Sequence, residues 1–102
     1  MRKVINGKLY DTETAEVITG RTNGYTSNDL NYECENLYRS QKGTYFMHYQ
    51  GGPLSRYARQ YGNGAIGEEG INVLTEEEAR NWAMKCMEAD DYIEVFGAVE
   101  EG

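Results

Sequence analysis

The chain holds one proline, one histidine, one tryptophan and two cysteines in 102 residues, and these scarcities exclude more than they permit. Cys34 and Cys86 stand far apart, with no second thiol or histidine at metal-ligand spacing, so neither a disulfide framework nor a zinc site is indicated. Both thiols are expected to be reduced, with Cys86 buried. No apolar run approaches the roughly 18 residues that cross a bilayer, and the opening MRKVINGK lacks the apolar centre of a signal peptide. A soluble protein of the cytoplasm, without membrane contact, is the resulting expectation. No repeat or low-complexity tract occurs.

What is present is tyrosine, glycine and acid. Nine tyrosines supply large, half-polar packing surface, so the chain is expected to fold although its mean hydropathy is only −0.75. Its length allows one domain, residues 1–102, with a tail frayed from about residue 98. Charge is divided unevenly: residues 1–50 carry six Lys/Arg and six Asp/Glu, residues 51–102 four and eleven. The acidic half repels nucleic-acid phosphate and attracts basic surfaces, which disfavours direct DNA or RNA binding and favours a basic protein partner. The same carboxylates also suit a face that only keeps a small domain in solution.

Glycines punctuate the chain into short elements. Asn6-Gly7 between Val4-Ile5 and Leu9-Tyr10 predicts a hairpin with a type I′ turn. Asp11 or Thr12 is placed to cap a brief helix through DTETAEVIT, ending near Gly20. RTNGYTSNDLN reads as a loop. From Tyr32 to Gln50 the pattern has a period of two about the turn Gln41-Lys42-Gly43, the clearest hairpin in the chain. Tyr45, Met47 and Tyr49 share one face of its second strand and Phe46, His48 and Gln50 the other, so that strand is expected at the centre of a sheet.

After Gly51-Gly52-Pro53, the residues Leu54, Tyr57, Ala58 and Tyr61 fall at i, i+3, i+4 and i+7 and predict a helix that ends at Gly62. A short strand, Ile71 to Leu74, leads into the strongest helix signal, where Thr75 and Glu78 form a capping box. There Ala79, Trp82, Ala83 and Cys86 form the inward stripe, and Glu76 and Arg80 pair outside. A last helix through ADDYIEVF, capped by Asp90 or Asp91 and stopped at Gly97, is expected to dock Ile93 and Phe96. The fold class is therefore α+β: a small antiparallel sheet of three or more strands packed with two to four short helices.

No catalytic constellation emerges. His48 is the lone histidine and sits on a strand without a recognisable nucleophile nearby. GNGAIG matches a dinucleotide fingerprint in letters only, since it follows a predicted helix and precedes Glu68-Glu69. The acidic residues lack the spaced ligands of a calcium loop, and the tyrosines lack the positive groove of a base-stacking platform. The reading is a protein without catalytic residues, metal or cofactor.

The motifs INGKLYDTETA, ENLYRSQKGTYFMHYQGGPLSRYA, NVLTEEEARNWA and ADDYIEVFG, in this order, span nearly the whole chain. Together they resemble a family of small acidic proteins from phages, plasmids and integrative elements of Firmicutes, with the pattern INGKxYDTxTA, LYxxxxGxYFxxxxGGxxSxYA, LTxEEAxxWA. The resemblance implies an accessory protein of a mobile element in a bacterial host cell, similar to anti-CRISPR proteins. That implies a non-enzymatic inhibitor of a CRISPR effector nuclease, type II first, acting as monomer or homodimer and competing with nucleic acid for a basic channel. The candidate partner-binding residues, chosen on predicted exposure, are Glu76, Glu77, Glu88, Asp90, Asp91 and Glu94. The alternative is an adaptor or regulatory protein that binds a replication or transfer protein of the element.

Overall fold

In the computed structural model, which describes residues 1–102, Asn6 and Gly7 take φ values of 52° and 76°. These are the two positive angles of a type I′ turn, and they close a hairpin of β1 (Arg2–Ile5) on β2 (Lys8–Asp11). The helix expected from Asp11 or Thr12 to Gly20 does not form. The Asp11 carboxylate accepts from the Glu13 N–H at 2.9 Å and its carbonyl from the Ala15 N–H at 3.1 Å, so the capping chemistry closes one turn and stops. The β-branched Val17, Ile18, Thr19 and Thr22 then run in β3 (Glu16–Thr22). Pairing with a neighbouring strand outweighs a helical stripe of only two apolar residues.

The hairpin read from the period of two is present as β4 (Glu33–Arg39) and β5 (Tyr45–Gly51), with Gly43 at φ 89° in the turn. With β8 (Glu68–Leu74) they form an antiparallel sheet of order β3-β4-β5-β8, which puts β5 inside as its two apolar faces require. Leu37, Tyr45 and Met47 look toward α1 (Glu76–Cys86) and α2 (Ala89–Phe96), where Ala79, Ala83, Tyr92 and Phe96 complete the main core. Phe46 and Ile71 look the other way, under Tyr10 of the first hairpin. The Phe46 ring is stacked on Tyr38 at 5.3 Å and meets Tyr10 edge-on at 5.4 Å.

The segment after Pro53 is not a helix. It turns and continues as a small hairpin, β6 (Arg59–Tyr61) and β7 (Gly64–Ile66), with Gly62 at φ 58° in the turn between them. The backbone N–H groups that a first helical turn would leave free are claimed by side chains: Arg56 N–H by Glu33 Oε2 at 2.9 Å and Tyr57 N–H by Ser55 Oγ at 3.2 Å. Leu54 and Tyr61, two members of the expected stripe, are exposed. Gly51 and Gly52 serve close approach: a Cβ on Gly52 would lie 2.4 Å from the Leu30 carbonyl oxygen, and one on Gly51 2.2 Å from Ser55 Oγ.

Thr75 and Glu78 form the capping box reciprocally, at 2.9 and 3.1 Å, and Arg80 Nε meets Glu76 at 3.1 Å. α2 departs from expectation in its cap and its face. Its N-cap is Glu88, with no side-chain cap bond, and the chain leaves it through Gly97 at φ 97°. Phe96 docks inward as expected, but with Tyr92 rather than Ile93, because the row that meets the core is Tyr92–Phe96, four residues apart, and Ile93 stands about 100° round α2 from Tyr92. Cys86 is half-buried rather than buried, and both thiols are free. No helix is long and apolar enough to cross a membrane.

Candidate functional site

A cluster that the sequence reading missed lies on the helix side of the sheet. Antiparallel register puts Glu33 and Glu35 on the face of Leu37, with Arg21 of β3 directly opposite Glu35. Glu35 is buried to 5% exposure and accepts from Arg21 Nε, from Tyr57 Oη, from Arg56 Nη2 at 2.8 Å and from Trp82 Nε1 at 3.4 Å. Glu33 takes Arg21 Nη2 and Arg56 Nε, each at 3.2 Å. The Tyr57 ring stacks on Tyr49 at 4.5 Å. Two cations and two anions balance, and no buried side-chain polar atom lacks a partner.

Burial pushes the Glu35 carboxyl up, but hydrogen bonds from Tyr57 and Arg21 and the charges of Arg21 and Arg56 outweigh it and hold it below its ordinary value. Glu33 is also held low, first by the Arg56 backbone N–H. Burial and the Glu35 carboxylate push the Tyr57 phenol well up. The chemistry is that of a clamp: four side chains from three segments, β3, the loop after Pro53 and α1, converge on one carboxylate of β4, whose lone pairs are already used. One signal in the sequence points to it, a glutamate at the inward phase of an inner strand, which requires cations from elsewhere in the chain.

On the opposite face, His48 Nε2 lies 2.6 Å from Glu69 Oε2, which also accepts from Gln50 Nε2 at 2.9 Å. The pairs Glu69–Gln50 and His48–Ile71 are set by β5–β8 register. His48 and Gln50 hold Glu69 below its ordinary value. No serine, threonine or cysteine is hydrogen-bonded to His48, and no three metal-ligating side chains gather at a point. The tyrosines are dispersed among the two cores, the clamp and exposed loops, so no stacking surface is assembled.

All six candidate carboxylates are exposed on α1, α2 and the junction between them. Glu76 is tied to Arg80; Glu77, Glu88, Asp90, Asp91 and Glu94 form no ion pair within the chain. Neither Asp90 nor Asp91 caps α2, so the structural task expected of them is absent, apart from complementing the helix dipole in its first turn. Lys85 is the only other cation on the two helices besides Arg80. The result is a surface with concentrated, uncompensated negative charge. A scan of family models, a search of curated proteins and a search of solved structures each find no match to the chain.

Proposed function

We propose that this protein is a non-enzymatic inhibitor that binds a basic protein partner through the acidic surface of α1 and α2. Five exposed carboxylates there, Glu77, Glu88, Asp90, Asp91 and Glu94, form neither an ion pair nor a side-chain cap bond, and this observation carries the reading. Like charges held together without compensation repel one another, and a cationic partner relieves that repulsion while gaining its own. With the family resemblance, the partner of choice is a type II CRISPR effector, whose positive channel otherwise holds nucleic acid, in the cytoplasm of a bacterium that carries the mobile element.

The test is target-DNA cleavage by a purified type II effector loaded with guide, with and without the protein, at low and moderate salt. Inhibition that rises with dose and weakens as salt rises is expected. Charge reversal at Glu76, Glu77, Asp90 and Asp91 should abolish it; inhibition that survives in the folded variant would reject the acidic competitor. No inhibition by excess protein would remove this effector class and favour the adaptor of a replication or transfer protein.

A further inference from the structure

Between the end of α1, the start of α2 and the C-terminal tail lies an open cleft of about 400 Å³ whose six lining residues are all apolar: Met84, Met87, Ala89, Tyr92, Ile93 and Val99. Tyr92 forms its floor from the core, while Met84 and Val99 are 60% and 57% exposed. Apolar surface of this kind is out of place on a chain so rich in charge, and methionine side chains adapt their shape to different occupants. Asp90 and Glu94 follow Ala89 and Ile93 in sequence but lie about 100° round α2 from them, on its exposed side. Glu77 precedes Met84 by two turns on the same row of α1, and Glu88 sits at the junction. Of the cations, Arg80 is held by Glu76 and by the Phe96 carbonyl, which leaves Lys85 alone.

We infer that this cleft is the anchor pocket of the acidic surface, and that its occupant is a basic segment of the partner bearing a large apolar side chain. Glu88, between the lining residues Met87 and Ala89, and the exposed carboxylates on the adjoining faces of both helices complement a cationic segment with an apolar anchor, the arrangement in which buried anchors dominate affinity and surrounding charge steers encounter. A second copy of this chain is a poor occupant, because each copy carries a net charge of −7. The inference rests on the proposed acidic-surface reading and adds to it the chemistry that the partner must present.

The experiment titrates the whole protein with two labelled synthetic peptides of equal length and charge, followed by fluorescence anisotropy. One places leucine and tryptophan among lysines at helical spacing; its twin has serine at the apolar positions. The apolar peptide is expected to bind about tenfold or more tightly than the twin, as burial of one large side chain implies. Met84→Glu with Val99→Glu should erase that difference, although two added negative charges would strengthen a purely electrostatic contact. Equal binding of the twins, or a difference that survives this substitution, overturns the pocket.

Asp90→Lys with Glu94→Lys separates the two ideas. If it removes binding of both peptides while the groove substitution changes nothing, the acidic surface stands and the pocket falls. If the groove substitution alone matters, the acidic surface falls. Methyl resonances give a second measure: the apolar peptide should shift Met84 and Met87 and leave Met1, exposed on the first hairpin, in place; shifts at Met1 alone would place binding elsewhere and reject the pocket.

Discussion

Arg56 Nη2 donates to Glu35 Oε1 at 2.8 Å across 21 residues of sequence, and by this bond a loop is fixed to an inner strand of the sheet. The same carboxylate holds Arg21 of β3 and Trp82 of α1, so its loss should loosen several elements together. Glu35→Ala leaves two guanidinium groups facing only Glu33. A destabilisation of about 3 kcal/mol is expected, the lower end for breaking a buried ion pair. Urea unfolding checks it, read as a lower midpoint at unchanged m. A change under about 1 kcal/mol would show that the clamp does not hold the fold.

Stability should fall at both ends of the pH scale for different reasons. Glu33, Glu35 and Glu69 are held below their ordinary values in the fold, so their contribution is present above about pH 4.3 and is lost as pH falls through the lower folded values. Tyr57 is shifted upward, so its contribution is complete below about pH 10 and fades as pH rises toward the folded value. Melting temperature against pH should therefore show an acid limb that Glu35→Gln flattens and an alkaline limb that Tyr57→Phe flattens. Unchanged limbs in both variants would remove the clamp from the pH response.

Two glycines offer a contrast that does not depend on charge. Gly52→Ala drives a Cβ to 2.4 Å from the Leu30 carbonyl oxygen, a backbone atom that cannot swing aside, whereas a Cβ on Gly64 meets nothing within 4 Å. Gly52→Ala is expected to destabilise by about 1–3 kcal/mol and Gly64→Ala to stay within about 0.5 kcal/mol of the parent. Equal thermal midpoints for the two variants would contradict the close packing of the loop on Leu30.

Reversing charge at Glu76, Glu77, Asp90 and Asp91 should leave the fold standing. Only the Glu76–Arg80 pair and the helix-dipole contributions are lost, while repulsion among neighbours is relieved. The expected change in unfolding free energy is about 1 kcal/mol or less. A large loss, seen by circular dichroism and denaturant titration, would give these carboxylates a structural task.

Thr75→Ala should cost about 1 kcal/mol, since it removes the acceptor for Glu78 N–H at the start of α1. Thr75→Ser, which keeps that acceptor, should restore most of it. Equivalent stability of both variants to the parent would mean that core burial of Ala79 and Ala83 alone holds the helix.

The sequence by itself determined the elements whose signals are local and mutually consistent. Asn6-Gly7 specifies a turn by backbone sterics, Thr75 and Glu78 specify a helix start by satisfying each other's N–H groups, and alternation from Tyr32 to Gln50 specifies an inner hairpin with two covered faces. It also fixed the exposure of Glu76, Glu77, Glu88, Asp90, Asp91 and Glu94, because charge clustered on short helices has nowhere to go but solvent.

Only the tertiary structure decided the rest. DTETAEVIT and LSRYARQYG carry the caps and spacings of helices, yet become a turn with β3 and a turn with β6–β7. In each, partners distant in sequence offered more than an isolated short helix gains from its own hydrogen bonds. β4 supplied a ladder to β3, and Glu33 and Glu35 drew Arg56 and Tyr57 onto the sheet. The clamp at Glu35 follows from the same cause, since its partners lie 14 to 47 residues away in sequence, whereas the cleft at Met84 is built within residues 84–99 and depends on the angle at which α2 turns back from α1.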